Sequence, residues 1–183
     1  MRIRTFVALA TLAFTPALAQ AQVAHPIEFG VDAGFSVTTG DPSTTTIAIP
    51  VQSLRVGFYV TEQVALEPSI AFNYQKQGDL SGTTLAPELG LVYDFTVDRK
   101  APQFFVRPFA GLARTSFDDG TGSESITAYH AGLGLGVKVP FASVERFAWR
   151  IEGAYDHLFP NTDKGIEADN GFGLKLGLSF FTK

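Results

Sequence analysis

The run HAGLGLGVKVP, from His130 to Pro140, sets Gly132, Gly134 and Gly136 beside a histidine and ahead of Lys138. Glycines with a lysine are the raw material of a phosphate cradle, in which bare backbone N–H groups approach the anion and an ammonium neutralises it. The spacing does not suit that chemistry. A dinucleotide fingerprint needs G-x-G-x-x-G on a turn, and a P-loop needs G-x-x-x-x-G-K-[ST]. Here glycine keeps strict period two, with Leu133, Leu135 and Val137 in the other phase. A strand with two unlike faces alternates in this way, and a turn has no reason to. Arg150 and Glu152 are a second candidate: two residues apart, they share a strand face where a carboxylate could do acid–base work. The third is histidine, with His25, His130, and His157 followed by Glu167. No His/Asp cluster has metal-ligand spacing, and neither a metal nor a cofactor is expected.

The elements that must carry these residues are strands throughout. The first segment alternates Phe29, Val31, Ala33, Phe35 and Val37 with Glu28, Gly30, Asp32, Gly34 and Ser36. The second sets Leu54, Val56, Phe58 and Val60 against Ser53, Arg55 and Gly57. Its upstream part (Ile47, Ile49, Val51) is out of phase, which predicts a bulge or loop near Pro50 to Ser53. The third opposes Val64, Leu66, Pro68, Ile70, Phe72 and Tyr74 to Glu67, Ser69, Asn73 and Gln75. In the fourth, Leu85, Leu89, Leu91, Tyr93 and Phe95 oppose Glu88, Gly90 and Asp94. The fifth has Phe104, Val106, Pro108 and Leu112 against Arg107 and Gly111. The glycine run is the sixth, with Tyr129 in its apolar phase. Phe147, Trp149, Ile151 and Tyr155 against Arg150, Glu152 and Asp156 make the seventh. Phe172, Leu174, Leu176, Leu178 and Phe180 against Gly173, Lys175 and Gly177 make the eighth. The pattern predicts eight antiparallel strands in one sequential meander.

The start of the chain is separable. Arg2 and Arg4 precede the apolar run TFVALATLAF, and ALAQAQ offers small-x-small cleavage after Ala19 or Ala21. The apolar run is shorter than the roughly 20 residues of a helical span. Residues 1–21 therefore read as a signal peptide and 22–183 as a single domain. Losing Arg2 and Arg4 takes the net charge from −4 to −6, and such an acidic chain argues against nucleic-acid binding. With no cysteine, an exported chain must be stable without disulfides.

Alternation alone does not say which face points outward. A soluble barrel has an apolar interior, and a membrane barrel reverses that. Two regularities favour the membrane. The first, third, fifth and seventh connections read as long and polar and the others as brief, the asymmetry of outer-membrane barrels. The aromatics of the apolar phase also fall in two bands. Phe58, Tyr93, Phe95, Phe104, Phe147, Trp149 and Phe180 stand at the short-turn ends. Phe35, Phe72, Tyr74, Tyr129, Tyr155 and Phe172 stand at the long-loop ends, with aliphatic residues between. Two girdles around an apolar band are expected where rings sit at headgroup depth. The other phase then lines a lumen holding Asp32, Arg55, Glu67, Glu88, Asp94, Arg107, Lys138, Arg150, Glu152, Asp156 and Lys175. Unpaired ions there would be costly, so a mutually paired network is expected. The three glycines of the sixth strand would make room for Arg and Glu side chains from across the barrel.

The meander and its final GFGLKLGLSFF resemble the small eight-stranded outer-membrane barrels of the OmpA/OmpX-like type. The resemblance implies an all-β, up-and-down transmembrane barrel, recognised during assembly by the barrel-insertion machinery through its last strand. Phe181, Thr182 and Lys183 extend past Phe180, whereas the usual pattern ends on the aromatic, which leaves the last register open by one residue. The segment DHLFPNTDKGIE is also weakly similar to the lipid A deacylases, eight-stranded barrels with an outward His, Ser and Glu. His157 and Glu167 match the histidine and the glutamate. The serine position holds Phe159, so the covalent step lacks its nucleophile unless Thr162 or another loop supplies one.

The expectation is a monomeric, non-enzymatic outer-membrane barrel in contact with membrane lipids, with a structural role or a surface partner held by its long loops. A lipid A-modifying enzyme and a narrow channel for small solutes are the alternatives.

Overall fold

A computed structural model describes residues 26–38, 44–77, 80–118, 122–141, 144–161 and 166–182. Residues 1–21, expected as a signal peptide, and His25 and Thr162 lie outside the described residues. The strands are β1 (Ile27–Thr38), β2 (Thr44–Tyr59), β3 (Val64–Gln77), β4 (Leu80–Asp94), β5 (Gln103–Asp118), β6 (Ser123–Phe141), β7 (Val144–Leu158) and β8 (Asp169–Phe181). Each pairs antiparallel with the next, and β8 closes on β1 to complete an eight-stranded barrel. Closure satisfies the backbone groups that an open sheet edge would leave bare in lipid. Both ends of the barrel chain meet at one rim, where Thr182 N–H donates to Ile27 O at 2.9 Å.

The glycine run lies inside β6, so no phosphate-binding turn exists there. The phase break in the second segment is a register shift: Asp32 faces Ser53, but Gly34 faces Ala48. The last register is settled too. Phe180 pairs with Phe29 and Phe147 on the outer face, while Phe181 turns inward and is only 4% exposed.

The connections differ from the expected contrast of long and short. Much of the third and fifth polar stretches is a strand extension beyond the aromatic band at the long-loop end. β3 and β4 pair up to Gln77↔Leu80, and β5 and β6 up to Asp118↔Ser123. Hydroxyl-rich sequence holds a ladder in water as readily as a loop when the neighbouring strand is already in register. On the other side, the connection Phe95–Pro102 is longer than expected. It is ordered by Asp98, whose Oδ1 accepts from Lys100 N–H at 2.9 Å, and by Gln103 Nε2 donating to Thr96 O at 3.0 Å.

Large apolar side chains cover the outside: Phe72 and Phe104 are 61% exposed, and Leu54, Leu135 and Leu176 are comparably bare. A band of this kind on a water-soluble protein would be an association liability, so its solvent is lipid. The bands knit across strands, with Tyr155 and Phe172 rings 5.2 Å apart at one level and Phe147 and Phe180 5.1 Å apart at the other. Along β8, Phe172 to Phe180 spans about 27 Å at roughly 3.4 Å per residue. A strand tilt of about 40° reduces that to about 21 Å, close to the apolar height of such barrels. Phe141, in phase with Val137 at the end of β6, stacks on Trp149 at 5.4 Å and joins the aromatic band at the short-turn end.

Candidate functional site

Inward-pointing residues of all eight strands bring charged side chains together in the lumen. Its centre is built on three arginines. Arg150 on β7 reaches Glu67 on β3 with Nη1 at 2.5 Å and Nη2 at 3.1 Å, and donates from Nη2 to Glu152 at 2.7 Å. Arg107 on β5 holds the other oxygen of Glu152 at 2.9 and 2.7 Å, and Glu88 at 2.5 Å. Arg55 on β2 binds Asp32 at 3.0 Å, Ser179 Oγ at 2.7 Å, and Glu28. Charge-assisted forks of this kind are the strong class of hydrogen bond, and each guanidinium here has at least two carboxylates.

Glycines make these arrangements possible. A Cβ at Gly134 would strike the Glu152 carboxylate, and one at Gly30 would overlap the Arg55 guanidinium. The expected occupants of the β6 glycines need correction, however. Gly132 and Gly136 admit the Phe109 and Phe105 rings, and all three visitors come from the flanking strands β5 and β7, not from across the barrel. Phe109 and Phe105 lie directly opposite Gly132 and Gly136 on β5, and Glu152 leans toward Gly134 from the position opposite Gly136 on β7.

The end nearest the chain termini is sealed. Lys138 Nζ lies 2.7 Å from Tyr59 Oη and 3.0 Å from both Asp94 and Glu28. Around it Tyr59, Phe105, Ala148 and Phe181 are nearly inaccessible. Arg99, from the connection after β4, lies over the Phe181 ring at 4.9 Å and the Tyr59 ring at 5.5 Å. Glu28, Tyr59 and Arg99 were not singled out for the lumen by sequence. For Glu28 a signal existed, because it shares the phase of Asp32.

The opposite end is open. Above the arginines lies a cavity of about 260 Å³, hollowed by small residues such as Ala71, Ala86, Ala154 and Gly173. Lys175 and Asp156 line this cavity and stand apart from the buried network. Lys175 Nζ sits 5.7 Å from the centroid of Phe109, and Asp156 Oδ1 meets His130 Nδ1 at 3.0 Å. Opposite charges alternate along the axis. Arg55, Arg107, Lys138 and Arg150 meet Glu28, Asp32, Glu67, Glu88, Asp94 and Glu152, Arg99 and Lys175 add a positive charge at either end, and Asp156, a seventh carboxylate, is set beside His130.

His157 belongs to the outer face, at the level of Tyr155. Its Nδ1 is 2.9 Å from Asn170 Oδ1, which also accepts from Tyr155 Oη at 2.6 Å. Phe159 packs edge-on against the imidazole at 5.2 Å between centroids. Glu167 is exposed and shares no hydrogen bond with His157.

Solved structures share this architecture. Neisserial surface protein A (NspA) superposes with a TM-score of 0.61 at 16% identity, over 84% of this chain and 96% of that one. Ail, the attachment invasion locus protein of Yersinia pestis, gives 0.53 at 14% identity, over 86% and 98%. The outer membrane enzyme PagL matches at 0.45 and 16% identity, over 80% and 97%. No curated protein matches the sequence. The family model of the outer membrane protein beta-barrel domain covers residues 5–180. Lipid-facing apolar bands, a polar lumen and this match agree, and the chain belongs to the outer membrane protein beta-barrel domain family.

Proposed function

We propose that the protein is a non-enzymatic, monomeric outer-membrane barrel that does not conduct, and that it acts by stabilising the envelope or through its outward-facing hairpins. The observation that carries this reading is the packed lumen. Arg107, Arg150, Lys138 and Phe105 are each at most 2% exposed and fill the cross-section from the arginine layer to the termini. A solute would have to break several charge-assisted bonds to pass. Planar-bilayer recordings of the refolded protein should show no unitary current steps, and steps in the wild type would overturn the reading in favour of a narrow channel.

The enzyme alternative has His157 at the outer rim in its favour. Against it stands Phe159, whose ring occupies the place a nucleophile would need. Release of fatty acid from purified lipid A should not exceed that of a His157→Ala variant; an excess would reinstate the deacylase.

The reading includes export. Cleavage within ALAQAQ should leave a mature chain beginning at Gln20 or Gln22, and N-terminal sequencing of membrane-extracted protein checks this. A mature chain beginning at Met1 would remove the signal-peptide assignment.

A further inference from the structure

Lys175 pairs across the sheet with Glu152, yet it forms no ion pair with it. Both Glu152 oxygens are already taken, Oε1 by Arg107 and Oε2 by Arg150. The ammonium therefore rises over the Phe109 ring on the cavity wall, and among the described residues no carboxylate oxygen comes within 4.0 Å of it. Two carboxylates face the same space with oxygen to spare. Glu88 uses Oε1 for Arg107 at 2.5 Å and for Ser69 at 3.5 Å, and no described residue donates to Oε2. Asp156 gives Oδ1 to His130, and its side chain is 41% exposed.

We propose that this cup binds a small zwitterion, its acid group on Lys175 and its ammonium on the spare oxygens of Glu88 and Asp156. A plain anion would meet the two carboxylates, and a plain cation would meet Lys175; a solute with both signs pairs with each and meets neither like charge. The volume, below the roughly 300–1,000 Å³ of drug-sized pockets, fits a solute of amino-acid size. The cup closes on the arginine layer, so the solute leaves by the side it entered. Only this last point rests on the non-conducting reading. Current steps with serine binding intact would overturn the closed lumen and leave the cup standing.

The test uses L-serine, titrated into the barrel in phosphatidylglycerol nanodiscs and followed by saturation-transfer NMR of the ligand. Wild type should show saturable binding, weakened at least tenfold by Lys175→Met and abolished by Ala154→Trp, which fills the cup without changing charge. Ala86→Trp replaces the second variant if it does not fold, folding being checked by heat-dependent gel mobility. Acetate and methylamine should each bind at least tenfold more weakly than serine. Nanodiscs containing phosphatidylethanolamine separate two sources of the same chemistry. Loss of serine binding there assigns the cup to a lipid headgroup, and its retention assigns the cup to a free solute. No saturable serine binding to wild type, or binding as tight as wild type by Lys175→Met or by the filled-cup variant, would overturn the proposal. Acetate binding as tightly as serine would overturn its two-sign basis.

Discussion

Arg150→Ala should lower the unfolding free energy by about 3–5 kcal/mol, the range measured when one partner of a buried ion pair is removed. Arg150 is 2% exposed and bonds Glu67 and Glu152, with Glu28 a further 3.7 Å away. Its loss leaves Glu67 to Arg55 at 3.4 Å and Arg107 at 3.7 Å, neither close enough to replace a fork. Alanine is too short for a neighbour to refill the space, and the orphaned carboxylates sit where water does not reach. With a urea slope of about 2 kcal/mol per molar, the midpoint should fall by about 2 M. Arg150→Lys, which keeps the charge and loses the planar fork, should fall between the two. Arg114→Ala, removing an exposed arginine that donates to Ser125 Oγ at 3.3 Å, should leave the midpoint unchanged. A wild-type midpoint in Arg150→Ala would mean that water already solvates the network, and the non-conducting reading would fall with it.

The second large effect separates two adjacent residues. Leu133 is 46% exposed on the lipid side of β6, and Gly134 is buried on the lumen side. The chain has no native cysteine, so either position can carry a single nitroxide. The label on Leu133→Cys should fold at wild-type yield, because acyl chains yield around it, and oxygen should relax it far more than a polar nickel complex. The label on Gly134→Cys should prevent folding. Even its Cβ would lie 2.9 Å from Glu152 Cδ, and the nitroxide beyond would displace the carboxylate from Arg107. Gly134→Ala is the milder form and should fold with reduced stability. Accessible, well-folded label at 134 together with a misfolded label at 133 would invert the barrel and remove the membrane assignment.

The opposition of these two residues was legible before any coordinates. Strand side chains alternate with period two whatever the strand packs against, so Leu133 and Gly134 had to part company. The same local rule separated Phe172 and Phe180 from Lys175, put Arg150 beside Glu152, and set the aromatic bands that distinguish a lipid-facing exterior from a dry core. Which cation meets which carboxylate was not local. Arg150 meets Glu67 from β3, a strand remote from β7 in the sheet, because closing eight tilted strands fixes a stagger that brings those two heights together. That stagger depends on every register at once, including the shift between Asp32 and Gly34 that alternation could only mark as a break. Glu28 entered the network for the same reason: its phase is readable, but its height relative to Arg55 and Lys138 is not. Arg99 carries no strand phase at all. It reaches Phe181 only because the connection after β4 folds back beneath the barrel, and a sequence pattern holds no record of where a loop returns. Periodicity is a property of one strand and was written in the residues, whereas partner choice in the lumen is a property of the closed sheet and appears only once the barrel has formed.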